Sequence, residues 1–133
     1  MIATKEWVKD LLTKVLKKQA NNYSFTEEQK IGTWVDGKPL YQKAVYFESL
    51  AVSTDKSVTV YHNIENVDTI WVYDGFVRQK GSEGGQALNY PSPWNSGSCW
   101  VFGATRTYVS NTAGADRSGF EAYVIIRYTK TTD

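Results

Sequence analysis

The apolar residues of this chain keep two different periods, and the change between them falls near residue 30. Before it, Trp7, Val8, Leu11, Leu12, Val15 and Leu16 recur at the three- and four-residue spacing of one helix face. From Ile31 onward apolar and polar residues alternate, which is the period of a half-buried strand. A chain patterned this way is expected to fold as a short helix followed by a strand-and-turn body. Glycine respects the same division, being absent before Gly32, and all three prolines lie at or after Pro39. Charge respects it too: residues 1–22 carry a net +3 and the remainder a net −2. Two units are therefore expected, 1–22 as a helix and linker for oligomerisation or docking, and 23–133 as a β domain.

The helix has end signals. Thr4 can accept from a free backbone N–H as N-cap. Glu6 falls in the positive first turn, and Lys17 and Lys18 in the negative last one. Asn21 and Asn22 supply a stop. A helix of about four turns is marginal alone in water, so its stripe needs a cover. Either the β body covers it, or copies of the chain pack together with Val8, Leu11 and Val15 as a short seam.

In the β region, Ile31–Val35 and Lys38–Phe47 flank Asp36-Gly37, and Thr69–Tyr73 and Phe76–Lys80 flank Asp74-Gly75. Asp-Gly between alternating runs predicts a tight hairpin, with both turn residues at positive φ. Ser57–His62 and Ala122–Thr129 alternate as further strands, as do Trp100–Phe102 and Arg106–Ser110. The stretch from Lys80 to Ser98 is rich in Gly, Ser, Pro and Asn and reads as a long loop, with Gln86–Tyr90 a short strand inside it. Short strands with turn signals between them and no helix pattern among them predict a mainly β fold, an antiparallel, jelly-roll-like β-sandwich.

Several chemistries lack their residues. One Cys, Cys99, and one His, His62, leave no cysteine or histidine cluster for a metal. A formal charge of +1 over 133 residues does not suit a dedicated nucleic-acid binder. No apolar run approaches the ~20 residues of a membrane span, and charges in MIATKEWVKD stand where an export signal would have its apolar centre. Neither a Gly-rich phosphate loop with its lysine nor a G-x-S-x-G elbow occurs. Asp55, Asp68, Asp74, Glu83 and Asp116 look like turn residues, and no spacing singles out a catalytic pair. His62 shares a strand face with Val58 and Val60 and reads as a satisfied or interfacial imidazole. Neither an enzyme nor a cofactor is expected.

The aromatic residues carry the remaining signal: five Trp, nine Tyr and five Phe. A hairpin at Asp74-Gly75 would set Tyr73 opposite Phe76, Val72 opposite Val77 and Trp71 opposite Arg78. Ile70, Val72 and Val77 would then face a core, and Trp71, Tyr73, Phe76 and Arg78 the other side, with Trp71 and Arg78 stacked across the strands. That second face either packs inside the protein or binds another subunit or a sugar. Tyr90, Trp94 and Trp100, with Asn89 and Asn95 alongside, could stack on sugar rings and exchange hydrogen bonds with their hydroxyls, or could pin the loop to the core. Asp116 and Arg117 would lie at another loop tip. In the first hairpin Trp34 would fall opposite Pro39, with Tyr41 diagonal to it.

Four stretches carry a resemblance. Tyr23–Lys43, YSFTEEQKIGTWVDGKPLYQK, is similar to the YST-E-E-x-x-x-G-x-W-x-D-G-K-P-[IL]-Y segment that opens a C-terminal β domain in structural proteins of tailed bacteriophages. His62-Asn63-Ile64-Glu65-Asn66-Val67-Asp68-Thr69-Ile70 resembles their H-N-I-x-N-[IV]-D segment, and AYVIIRYTKTTD resembles their terminal strand. The opening ATKEWV is similar to the helix starts of phage fibre connectors, and Phe25 stands where the family has Thr or Ser. The resemblance implies a non-enzymatic virion protein, assembled in a bacterial host's cytoplasm, with a β-sandwich head and trimeric assembly. It would be tail-fibre-like or receptor-binding, touching other virion proteins and a host surface polysaccharide. The competing expectation is a purely structural head-fibre, decoration or baseplate part. Trp7, Val8, Leu11, Leu12, Val15, Trp71, Tyr73, Phe76 and Arg78 are the candidate interface residues. Tyr90, Trp94, Asn95, Trp100, Asp116 and Arg117 are the candidate ligand residues.

Overall fold

Two antiparallel sheets form from the alternating segments. The structure, a computed structural model, describes residues 5, 8–12, 23–89 and 100–133. Within these residues the strands are β1 (Gln29–Thr33), β2 (Pro39–Phe47), β3 (Val58–Tyr61), β4 (Val67–Gln79), β5 (Trp100–Ala104), β6 (Tyr108–Ala113) and β7 (Phe120–Lys130). One sheet has the order β1-β2-β7-β4 and the other β3-β6-β5. From β2 to β5 successive strands alternate between the sheets, while β2 pairs with β7 and β3 with β6. This is the nested pairing of a jelly roll, and the expected mainly β, antiparallel sandwich is the fold observed.

The alternation decides which side chains meet between the sheets. Val45 and Phe47 of β2, Ala122, Val124 and Ile126 of β7, and Val77 of β4 form one wall of the core. Trp100 and Phe102 of β5 with Val109 and Ala113 of β6 form the other, and Leu50, Ala51 and Leu88 close the ends. Burying each large side chain of this kind contributes about 1.5–3 kcal/mol, which offsets the entropy of ordering long connections. A polar pin crosses the same core: Asn111 of β6 accepts from the Ala51 N–H at 2.8 Å and donates to the Val101 carbonyl at 3.1 Å.

The first Asp-Gly turn is a hairpin of a different type from the expected one. The Gly37 N–H donates to the Trp34 carbonyl, the Trp34 N–H to the Lys38 carbonyl, and Thr33 rather than Trp34 pairs with Pro39. Of the two turn residues only Gly37 has positive φ, at 88°. The three-residue loop Val35-Asp36-Gly37, with glycine in the left-handed position, accounts for both facts. Trp34 then leans away from Pro39, and its ring packs on Trp71 with centroids 4.7 Å apart.

The second Asp-Gly is not a hairpin. Residues 67–79 run as one strand along β7, with a register shift between Val72 and Asp74. The eleven residues of β7 give both halves a partner on the same side, so the chain bulges at Tyr73-Asp74 instead of reversing. Trp71 consequently pairs in register with Arg127 and Arg78 with Glu121, and the expected Trp71–Arg78 stack does not form.

Residues 5 and 8–12 are helical. Val8, Leu11 and Leu12 are 41%, 47% and 57% exposed, so the β body does not cover them. Thr4, Glu6, Trp7, Val15, Leu16 and the lysine and asparagine signals that follow lie outside the described residues. Among the described residues no helix is long and apolar enough to cross a membrane.

Candidate binding face

The bulge has a geometric consequence for the outer side of the four-stranded sheet. In an unbroken strand an odd-numbered and an even-numbered residue face opposite ways. Trp71 and Phe76 would then lie on different faces. The extra residue at Tyr73-Asp74 resets the alternation, so Trp71, Tyr73, Phe76 and Arg78 share the outer face although no hairpin joins them. Their neighbours in register on β7 are Arg127 for Trp71, Tyr123 for Phe76 and Glu121 for Arg78. The grouping expected from the sequence is therefore observed, by a different route.

A local turn brings one more ring to this face. Ser24 Oγ accepts from the N–H groups of Thr26 and Glu27 at 3.2 and 3.1 Å, and the Ser24 carbonyl accepts from the Ala44 N–H at 2.8 Å. Held this way, Phe25 lies 6.2 Å from Tyr46 and 6.1 Å from Tyr123 between ring centroids. Tyr123 is the hub, 5.0 Å from Tyr46 and stacked on Phe76 at 5.1 Å.

The rings border a groove of about 410 Å³ lined by Tyr23, Phe25, Ala44, Asp74, Gly75, Phe76, Tyr123 and Ile125. Tyr23, Phe25, Tyr73 and Phe76 are exposed, an unusual concentration of apolar surface for one sheet face.

Charges at the groove's edge are organised. Glu121 accepts from the Tyr46 hydroxyl at 2.6 Å and from Arg78 Nε at 2.7 Å. These two donors, Tyr46 first, hold the Glu121 carboxyl below its ordinary value, and the bond to Glu121 pushes the Tyr46 hydroxyl up to about 12. The Arg78 guanidinium lies 5.6 Å from the centroids of both Phe76 and Tyr123. Farther along, the Arg127 guanidinium sits 3.4 Å from the Tyr73 centroid. Among the described residues no donor or ion-pair partner meets the Asp74 carboxylate. Trp71 differs from its neighbours because Trp34 covers it within the same chain.

The loop candidates fare differently. Tyr90, Trp94 and Asn95, and with them Cys99, lie outside the described residues. Trp100 is a core residue, 4% exposed, with its indole N–H donating to the Ala87 carbonyl at 2.8 Å. It offers no open face for a sugar ring, because its strand alternates inward with Phe102. Arg117 does meet it, with its guanidinium 5.5 Å from the Trp100 ring and 5.3 Å from Phe120. Asp116 is tied instead to the Ser118 N–H at 2.9 Å. These contacts organise the loop before β7.

His62 is buried and satisfied. Its Nδ1 accepts from the Ile64 N–H at 3.1 Å, which leaves Nε2 to donate to the Thr105 carbonyl at 2.9 Å. Among the described residues no group of three His, Cys, Asp or Glu side chains is placed to hold a metal ion.

Sequence reasoning missed Phe25, Tyr46 and Tyr123 as members of the face. A Ser two and three residues before Thr26 and Glu27 was the available signal for the Phe25 turn. Tyr46 and Tyr123 could be found from alternation alone, each lying one residue from an inward-facing position. Comparison with known proteins finds no matching family model, no matching curated protein and no matching solved structure.

Proposed function

We propose that this chain is a non-enzymatic virion component of a tailed bacteriophage, of tail-fibre or receptor-binding type. In this reading the N-terminal helix gathers copies and the β-sandwich contacts a host surface polysaccharide. The observation that carries the binding half is the outer aromatic face: exposed rings on a rigid sheet, bordering a groove with polar groups at its edge. Rings of this kind stack on the C–H faces of sugars, and carboxylates and tyrosine hydroxyls bond sugar hydroxyls. The sequence resemblance at Tyr23–Lys43, His62–Ile70 and the final strand supplies the phage context.

A panel of bacterial surface polysaccharides tests this reading. Saturable binding to at least one, lost in Phe76→Ala by about tenfold or more on the usual scale of an aromatic anchor, is the expected result. Silence across the panel would overturn receptor binding in favour of the structural alternative. That alternative has its own support, since an aromatic sheet face equally suits a protein partner. Release of oligosaccharides from the polymer would contradict both.

A further inference from the structure

We propose that the groove between Tyr23, Phe25, Phe76 and Tyr123 is a binding site for an alkylated ammonium head group, with Asp74 as its counter-ion. The same rings already hold cations. Phe76 and Tyr123 together face the Arg78 guanidinium at 5.6 Å, and that charge is answered by Glu121 at 2.7 Å. Arg127 stands in the same relation to Tyr73. The outer face is thus built of rings that hold cations.

The groove repeats this composition with one member missing. It has rings, and it has a carboxylate in Asp74, but among the described residues no cation lies against that carboxylate. The bulge that re-aims the strand at Tyr73-Asp74 is what brings Asp74 among the groove's lining residues.

Charge and hydration select the ligand. An anion is repelled by Asp74, and a neutral ligand can hydrogen-bond to the carboxylate but leaves its charge without a counter-ion. A primary ammonium is strongly hydrated and asks for three acceptors, whereas the groove offers one carboxylate and mostly ring surface. An alkylated ammonium such as choline carries its charge on methyl groups that pack against rings. This inference rests on the receptor-binding reading only for the source of the ligand, a surface polymer bearing such groups. The chemistry of the groove stands apart from it.

The test titrates the intact chain with choline chloride and, in parallel, with its neutral isostere 3,3-dimethylbutan-1-ol, following Tyr23, Phe76 and Tyr123 ring resonances. Saturable choline binding with a dissociation constant on the order of millimolar is expected for so small a ligand. The isostere should bind about tenfold more weakly or worse, and Asp74→Asn should weaken choline by a similar factor. The Asp74 carboxylate has no hydrogen bond or ion pair to lose among the described residues, so this variant should fold normally. Tyr61→Ala, on the other sheet, should leave binding unchanged. Equal binding of the isostere, indifference to Asp74→Asn, or no saturation overturns the proposal. Choline binding without recognition of any polysaccharide would defeat the receptor reading and leave this site standing; polysaccharide binding indifferent to choline would do the reverse.

Discussion

Gly75→Ala should destabilise the protein by about 3–5 kcal/mol, the sum of a strained backbone and a collision that cannot relax. A Cβ at this position would stand 2.0 Å from the Tyr123 carbonyl oxygen, and φ is +137°, a region that L side chains avoid. The obstacle is backbone of β7, which is hydrogen-bonded to β2 on one side and β4 on the other. It cannot retreat without opening the centre of the sheet. Gly37→Ala supplies the contrast. Its φ is +88° but nothing lies within 4 Å, so only the conformational cost of about 1 kcal/mol applies. Urea midpoints of the two variants measure the difference. If Gly75→Ala costs no more than Gly37→Ala, the bulge is not as described, and with it falls the shared face of Trp71 and Phe76.

Asn111→Ala should cost about 3 kcal/mol, for a different reason. The side chain is 1% exposed and joins three segments: its oxygen accepts from Ala51, and its amide donates to the carbonyls of Val101 and Thr112 at 3.1 and 3.3 Å. Alanine leaves the buried Ala51 N–H without its partner, at about 1–3 kcal/mol, and removes the donor to the two part-buried carbonyls at about 0.5–1.5 kcal/mol each. Water entering the vacated space would recover part of this. The same denaturation experiment reads the effect, and a loss below about 1 kcal/mol would mean that the pin between β5, β6 and the Ala51 loop carries little of the fold's stability.

These two residues mark the boundary of what the sequence could disclose. Period-two alternation located β3 and β7 to within two residues, because half-buried strands write their burial into the order of side chains. It also grouped Trp71, Tyr73, Phe76 and Arg78 correctly, although for the wrong reason. Asp74-Gly75 has the local chemistry of a hairpin, and only the length of β7, 45 residues farther along the chain from Gly75 to Phe120, makes it a bulge. Asn111 and His62 look ordinary in sequence, since their partners at Ala51 and Thr105 are 60 and 43 residues away. Trp100 was legible in principle: with Phe102 it alternates into the core, as Val45 and Phe47 do. Its place beside a loop rich in Gly, Ser and Pro made it look like a ligand platform instead.

The electrostatics of the far end of the sheet follow the same rule. The Tyr128 hydroxyl donates to Glu28 at 2.6 Å across 100 residues of sequence, and burial, with that bond, pushes its ionisation well above the ordinary tyrosine range. Lys38 meets Asp68 at 2.7 Å and ties the first hairpin to the start of β4. Both pairs fix one arrangement of distant segments, and the Lys38–Asp68 ion pair, open to solvent at both partners, adds little to stability.

Val8, Leu11 and Leu12 stand exposed on their helical segment, and the proposed assembly gives them their cover. Light scattering on the intact chain at micromolar concentration tests this most directly. The account requires a mass of three times 15.0 kDa, falling toward one chain mass in Leu11→Lys/Leu12→Lys while the β signal in circular dichroism is kept. A single-chain mass for the unaltered protein would contradict it.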